Sequence, residues 1–341
     1  MKKTLLALGA SALLVTSLSA RDQIRITGSS TVFPFSSYVA EEFGAVTGHR
    51  TPVVESTGSG GGMKIFCAGN GLNTPDFTNA SRAMKPTEFE MCQENGVKNI
   101  VGLKIGFDGI AIAQSNKNPA MDLKLEDIFL ALAQEVPSKD GKSLIKNPYK
   151  YWNEVNPNLP KREIKMIGAP TTSGTRDSFD GMVMATASKS FPVYGGKKYK
   201  KIRTDGAYIP GGENDNLIVA KLVQDTDAVG YFGYSFLEEN HDKLVGATLN
   251  GVKPTPKTIA SGEYPVSRSM FTYMKKDHVG KVEGMQQFIN MFASNMMIGQ
   301  NGVLKSIGLI PQPQEQLKKS QEAVKNQKLL TKEMVKNKKA F

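Results

Sequence analysis

The sequence has few of the residues that build metal centres, and it lacks the common catalytic motifs. Its 341 residues include three histidines and two cysteines, and the histidines (His49, His241 and His278) are far apart and match no metal-ligand spacing. No G-x-S-x-G, HExxH, Walker-type or G-x-G-x-x-G motif occurs. The one S-x-x-K, which starts at Ser143, has neither S-D-N nor K-T-G to accompany it. The sequence therefore predicts no metal, no cofactor and no enzymatic reaction.

Long apolar runs are also scarce, and the one that stands out lies at the N-terminus. Two lysines at positions 2 and 3 precede an apolar stretch, residues 5–18. A Ser-Ala pair at positions 19 and 20 follows it. This order is typical of a secretory signal, and the stretch is too short to remain as a membrane-spanning helix. No cysteine stands at the expected cleavage point, which argues against a lipid anchor. We therefore expect residues 1–20 to be a cleaved signal peptide and the protein to be periplasmic.

The two cysteines fit the same compartment. Cys67 and Cys92 could form a disulfide in an oxidising environment. Closing that loop would stabilise the fold by about 3 kcal/mol in the chain-entropy model. Two buried free thiols are the alternative, and the compartment favours the disulfide.

The formal net charge of +11 is unevenly distributed. Residues 315–341 hold eight Lys and three Glu, so this segment alone contributes +5. We expect the ordered fold to end near residues 311–313 and residues 314–341 to form a basic, solvated C-terminal extension. The rest of the chain is mildly basic, which concentrates small anions without selecting one. Nucleic acid is not an expected partner, because no basic motif with interleaved aromatic residues occurs.

Three segments share one pattern, in which a short apolar strand is followed by a Ser/Thr/Gly turn and then by helical spacing. They are residues 24–35 (IRITGSSTVFPF), residues 50–62 with the turn STGSGGG, and residues 165–176 with the turn TTSGTR. After the first turn, Phe35, Val39, Phe43 and Val46 repeat at three to four residues, which predicts an amphipathic helix. A helix N-terminus presents unpaired N–H groups and favours negative charge. One such turn is an ordinary N-cap or loop, whereas three of them favour a bound anion.

Charged side chains stand beside these turns. Arg82 and Arg176 are candidate cations, since a guanidinium binds oxyanions through two hydrogen bonds. Asp108 interrupts the apolar run of residues 100–113. A carboxylate in such a strand is costly unless it has a partner, so we expect Asp108 to have a structural or functional role.

Seven motifs occur together in a fixed order: GSSTVFP (28–34), STGSGGG (56–62), NASRAMKP (79–86), FDGIAI (107–112), TSGT (172–175), GYFGY (230–234) and YPVSRSMFTYMK (264–275). Over about residues 24–313, this series resembles the periplasmic phosphate-binding proteins of bacterial phosphate ABC transporters. The resemblance implies a two-lobe α/β fold of the periplasmic binding protein type (type II-like). It implies a monomer that closes on inorganic phosphate and delivers it to a membrane permease.

The resemblance also implies the arrangement of the lobes. The first would comprise residues 21–108 plus 266–313, and the second residues 109–265. The hinge strands would be FDGIAI and YPVSRSMF (264–271).

Carried over by position, the ligand-binding residues would be Ser30, Thr31, Val32, Phe33, Ser59, Ser173, Gly174 and Thr175, with Arg82, Asp108 and Arg176 as charged candidates. Two departures from the family pattern matter. Arg82 stands where many members have an aspartate that accepts the phosphate proton, and Ala169 stands where many have an arginine. We expect Arg82 to restore the missing positive charge and Asp108 to replace the acceptor, with Asp177 and Asp215 as the alternatives.

Two further functions remain open from the sequence. A related fold could bind another tetrahedral oxyanion, such as sulfate or molybdate. A periplasmic hydrolase of phosphate esters would also hold a phosphoryl group, but it would need a metal cluster or an activated nucleophile, and the motifs show neither.

Overall fold

A computed structural model describes residues 21–29, 31–171, 173–212 and 214–337. The expected signal peptide, residues 1–20, lies outside the described residues, as does the candidate ligand Ser30. Within the described ranges, no helix combines the length and apolar character that a membrane span requires.

The strands, in chain order, are β1 (Arg25–Gly28), β2 (Val53–Ser56), β3 (Phe77–Ala80), β4 (Ile100–Ser115), β5 (Asp122–Leu123), β6 (Glu135–Pro137), β7 (Leu144–Lys146), β8 (Met166–Gly168), β9 (Tyr208–Pro210), β10 (Val229–Gly233), β11 (Leu244–Gly246), β12 (Thr248–Leu249) and β13 (Ser267–Lys275). The α-helices are α1 (Phe33–Thr47), α2 (Gly58–Phe66), α3 (Pro86–Glu94), α4 (Leu125–Leu132), α5 (Trp152–Val155), α6 (Gly174–Phe179), α7 (Ala185–Ala187), α8 (Asp215–Gln224), α9 (Tyr234–Glu239), α10 (Pro256–Ser261), α11 (Met285–Phe292), α12 (Asn295–Ile298), α13 (Gln314–Lys325) and α14 (Lys332–Lys336). A π-helical turn, Asp180–Met184, joins α6 to α7.

One long strand connects the two halves of a mixed sheet. The sheet order is β2-β1-β3-β13-β4-β10-β8-β9, and β11 also pairs with β4. Residues 100–109 of β4 pair with β13, whereas residues 110–114 pair with β10. The hydrogen-bonding partner of β4 therefore changes at residues 109–110, directly after Asp108.

The apolar core is divided in the same way. One cluster of buried side chains comes from residues 107–266, with Ile310 added. Two others come from residues 24–105 and 270–335. Because each half buries its own apolar side chains, each has a separate core. The expected two-lobe α/β fold is confirmed.

The helix predicted after the first turn is α1, and Pro34 lies in its first turn. Phe35, Val39 and Phe43 are buried as the spacing predicts, whereas Val46 is 62% exposed. The prediction was therefore wrong for the last position of the apolar face. α1 ends before Gly48, which adopts a left-handed conformation (φ 74°) that glycine tolerates best.

The glycine-rich second turn is helical, so the flexible loop that was one of its two sequence-based interpretations is wrong. Its glycines form the first turns of α2. Gly62 packs against β1 so closely that a Cβ at this position would lie 2.4 Å from the Cα of Gly28. The absent side chain of Gly62 allows α2 to approach the sheet, which explains this glycine without requiring a ligand.

Residues 314–337 of the basic C-terminal segment are also folded, so the expectation that the ordered chain ends near residue 313 was wrong. α13 buries Leu317 and Val324 in the core of the first half. After it, the amide of Leu330 donates to the carbonyl oxygen of Ile100 at 2.7 Å, and Val335 of α14 is buried. The lysines occupy the solvent side of an amphipathic helix, and its sparse apolar residues suffice to anchor it.

Cys67 and Cys92 form a disulfide that links the end of α2 to α3, with the two Cα atoms 4.3 Å apart. We predict that the Cys67→Ser/Cys92→Ser double variant has a free energy of unfolding lower by about 3 kcal/mol, because the unfolded chain regains the entropy of an open loop. Urea titration of the two proteins measures this difference. Wild-type protein unfolded with a reductant should match the variant, and equal stability with and without the bond would contradict the prediction.

Candidate functional site

A small polar cavity lies where the two halves meet, with a volume of about 230 Å³. Its lining comes from β4, from the starts of α1, α6, α8 and α9, and from residues 307–308, which precede α13. The residues are Thr31, Pro34, Phe35, Asp108, Ser173, Gly174, Thr175, Asp215, Gly233, Ser235, Phe236, Ile307 and Gly308. Five of the sequence-predicted site residues therefore share one cavity: Thr31, Asp108, Ser173, Gly174 and Thr175.

Asp108 has the partner that its position in an apolar strand requires. Arg268 stands opposite it in the β4–β13 register, and the Arg268 Nε donates to Asp108 Oδ2 at 3.0 Å. The side chains of Asp108 and Arg268 are 17% and 14% exposed. The Nη2 of the same guanidinium also donates to the Thr31 hydroxyl. One arginine therefore connects the crossing strand to the first turn.

The third turn positions its residues by an N-cap. β8 ends at Gly168, and Ser173 caps α6 by accepting a hydrogen bond from the amide of Thr175 at 3.2 Å. Ser178 then donates to the carbonyl oxygen of Gly174. These bonds hold Ser173, Gly174 and Thr175 at the cavity, opposite Thr31.

In the first turn, which precedes α1, Ser29 accepts the hydrogen bonds of three successive backbone amides. Its hydroxyl accepts from the amides of Thr31 (3.2 Å) and Val32 (3.4 Å), and its carbonyl oxygen accepts from the amide of Phe33 (3.0 Å). Val32 is fully buried, and Phe33 is 36% exposed. Among the described residues of this turn, Thr31 contributes to the cavity, whereas the amides of Val32 and Phe33 bond within the turn.

Ser59 and Arg82 lie together in the first half, outside the lining of this cavity. The Ser59 hydroxyl is 3.2 Å from the Ser81 hydroxyl and accepts from the Ser81 amide at 3.0 Å. Arg82 makes two hydrogen bonds to Glu88, of 2.8 and 2.6 Å, and these raise the pKa of Arg82. The expectation that Arg82 supplies the missing charge is not supported by these contacts, because neither Arg82 nor its partner Glu88 lines the cavity.

Arg176 is also paired within its own half. Its Nε donates to Asp180 at 2.7 Å, and its guanidinium lies 4.6 Å above the ring of Tyr208. Burial raises the pKa of Asp180 above its ordinary value, although the nearby Arg176 guanidinium acts to lower it. Ala169 stands where the resemblance implies an arginine in many family members. It lies beside the Arg176–Tyr208 pair, since its carbonyl oxygen accepts a hydrogen bond from the Tyr208 hydroxyl.

The two alternative proton acceptors differ in placement. Asp177 is exposed, and it is not among the described residues that line the cavity. Asp215 does line it, and its carboxylate accepts from the amide of Gly233 at 3.0 Å. Asp108 and Asp215 are therefore the carboxylates that the cavity brings near Ser173–Thr175. No group of three or more His, Cys, Asp or Glu residues suited to a metal occurs in the described ranges.

Arg268 was missed by the sequence analysis, although a signal for it existed. The motif YPVSRSMF was assigned to a hinge strand, and its single cation was not considered as a ligand. Because an unpaired carboxylate is costly to bury, the sequence already indicated that Asp108 needs a partner. The two hinge segments carry one opposite charge each, and pairing them would have identified Arg268.

Comparisons with known proteins agree on one family. Residues 15–296 match the family model described as the PBP superfamily domain. Protein SphX of Synechococcus elongatus is 28% identical over 299 residues, which cover 86% of this chain and 78% of SphX. The phosphate-binding protein PstS of Staphylococcus saprophyticus is 29% identical over 272 residues, which cover 78% of this chain and 74% of PstS. The crystal structure of a possible phosphate binding protein from Planctomyces limnophilus is 29% identical, with a TM-score of 0.73 over 91% of this chain and all of that one.

Proposed function

Because this chain belongs to the PBP superfamily, we propose that it binds inorganic phosphate in the cavity between its halves and delivers the ion to the permease of an ABC transporter. The observation that carries this proposal is the position of Arg268, whose guanidinium contacts Asp108 and Thr31. Both of these residues line the cavity together with Ser173–Thr175. The printed names of PstS and of the Planctomyces limnophilus protein point to the same ligand.

The proposed recognition needs no chemical step. The hydroxyls of Thr31, Ser173 and Thr175 replace part of the hydration shell of the ion, and Arg268 adds charge-assisted hydrogen bonds. The N-terminus of the helical segment that begins at Gly174 faces the same space. The ligand set that we propose is therefore Thr31, Ser173, Gly174, Thr175 and Arg268, with Asp108 as the acceptor.

Selectivity would come from Asp108. A carboxylate accepts a hydrogen bond from HPO₄²⁻ but repels sulfate, which has no proton to give at neutral pH. Arg268 bonds one oxygen of this carboxylate, and a carboxylate has further lone pairs with which to accept. The partly buried position strengthens both the attraction to a proton and the repulsion of an unprotonated anion.

Capture would proceed by hinge closure between residues 21–108 plus 266–313 and residues 109–265. The exchange of β4 partners after Asp108 supports these boundaries. So does the hydrogen bond from the amide of Ile110 to the carbonyl oxygen of Val266, which joins the two crossing segments at 3.0 Å. A few residues at such strand ends can absorb the rotation of one half against the other.

The protein would work as a monomer in the periplasm, after removal of residues 1–20. The disulfide between Cys67 and Cys92 supports an oxidising compartment. The folded C-terminal segment belongs to the first half in this proposal, since it packs there.

Calorimetry of the purified protein against phosphate, sulfate and molybdate tests the function. We expect tight one-to-one binding of phosphate and at least about 100-fold weaker binding of the other two ions, a discrimination of about 2.7 kcal/mol. A preference for sulfate or molybdate would retain the fold and overturn the ligand. Release of phosphate from a chromogenic ester, measured with and without Zn²⁺, should be absent, and turnover would favour the hydrolase alternative.

A further inference from the structure

A second cavity lies in the half formed by residues 109–265, and it shares no lining residue with the first. Its volume is about 870 Å³, within the range of sites for small organic ligands. The loop after β4, the start of α4, the loop after α5 and the turn after β12 form its walls. The lining residues are 118–122, 124, 127, 155–160, 162, 250 and 251.

Arg162 is the charged residue that distinguishes this cavity. It is 9% exposed, and its Nη2 donates to Gln114 Oε1 at 2.9 Å and contacts the Met121 sulfur at 2.8 Å. Its Nε is buried without a hydrogen-bond partner. In the described part of the chain it forms no ion pair, and burial lowers the pKa of Arg162. The carboxylates of Asp227 and Asp225 stabilise this cation from a distance, but they do not offset the cost of its desolvation.

Gln114 holds this guanidinium in place. The glutamine is 1% exposed, and its Nε2 donates to the carbonyl oxygens of Pro119 (2.9 Å) and Asn118 (3.4 Å). Both of those residues line the cavity. The same amide therefore orients the arginine and fixes the cavity wall, which is the arrangement of a pre-organised site.

The two carboxylates of the lining are already engaged, and its other cation is exposed to solvent. Asp127 accepts from the amide of Lys124 at 2.8 Å and from the Asn156 side chain at 3.3 Å, and Asp122 accepts from the Thr248 hydroxyl. Lys124 is exposed. Among the described residues of the lining, Arg162 is therefore the buried charge without an ion pair.

We propose that this cavity binds a small organic anion with a carboxylate group, held by Arg162. A planar guanidinium matches a carboxylate in geometry. Met121, Val155, Leu159 and the prolines of the lining would contact the carbon skeleton of such a ligand. The volume is nearly four times that of the cleft cavity, about 870 against about 230 Å³, so a bare inorganic ion would leave most of it empty.

Thermal shift and calorimetry with succinate and citrate as probes test this proposal on the full-length mature protein. At millimolar concentration, at least one of them should raise the melting temperature of the wild type by several degrees. The Arg162→Gln variant should lose this shift. The Arg162→Lys variant keeps the charge without the planar fork, so its affinity for the same probe should fall about tenfold.

The Arg268→Gln variant separates the two sites, because it alters the cleft and leaves Arg162 intact. It should keep the full response to the carboxylate while its binding of phosphate is weakened. The proposal is overturned if neither carboxylate shifts the wild type, or if Arg162→Gln and Arg162→Lys both respond as the wild type does. A response lost in Arg268→Gln would place the carboxylate in the cleft and would equally overturn it.

Discussion

Replacing Arg268 with glutamine is expected to weaken phosphate binding about 100-fold or more. The substitution removes the cation that contacts both Asp108 and Thr31. A hydrogen bond to a charged group contributes about 1.5–3 kcal/mol, and each 1.4 kcal/mol is tenfold in affinity. The variant also leaves the Asp108 carboxylate without its counter-ion, which adds repulsion toward any anion. Calorimetric titration with phosphate measures the effect.

Arg82→Gln is the matched control for this prediction. It removes the same charge from the same half of the molecule, but from a guanidinium that Glu88 binds through two hydrogen bonds. Phosphate affinity should stay within about threefold of the wild type, while the free energy of unfolding falls because Glu88 loses its partner. If Arg82→Gln abolished binding and Arg268→Gln did not, the cation assignment would be reversed, in favour of the residue indicated by the sequence.

Replacing Asp108 with asparagine is expected to remove the discrimination between phosphate and sulfate. The amide is nearly isosteric with the carboxylate but carries no charge, and it presents N–H donors as well as an oxygen. We expect phosphate affinity to fall about tenfold or more and sulfate binding to become measurable, since the repulsion that excluded sulfate is gone. Competition between the two ions at constant ionic strength gives the selectivity ratio directly.

The controls for Asp108→Asn are two further aspartates. Asp177→Asn alters an exposed carboxylate and should change neither affinity nor selectivity. Asp215→Asn alters the other carboxylate that lines the cavity. Unchanged affinity and unchanged sulfate rejection in Asp108→Asn would show that Asp108 is not the acceptor, and a loss of selectivity in Asp215→Asn would assign the acceptor there instead.

The candidate site was predictable from the sequence where it depended on local structure. Thr31, Ser173, Gly174 and Thr175 stand at strand-to-helix turns, and the residues around each turn determine its conformation. Asp108 was identified by the cost of a carboxylate in an apolar strand. All five line the same cavity, although they are drawn from positions 31 to 175 of the chain.

The site was not predictable where a cation had to be matched with its counter-ion. The sequence alone does not distinguish the roles of Arg82, Arg176 and Arg268. Arg82 pairs with Glu88 and Arg176 with Asp180, and both pairs form within six positions in the chain. Arg268 meets Asp108 across 160 positions, so its role depends on the register of β13 against β4.

The sequence by itself determined which segments become strands and helices around the ion, because capping hydroxyls, helical spacing and the close packing of small residues act over a few residues. It also established the class of fold, through an ordered series of such segments. Only the tertiary structure decided which cation lies beside the cavity, since this depends on pairings between distant strands. For the same reason it decided that residues 314–337 of the lysine-rich segment are folded. The apolar surfaces that bury Leu317, Val324 and Val335 exist only after the first half has assembled.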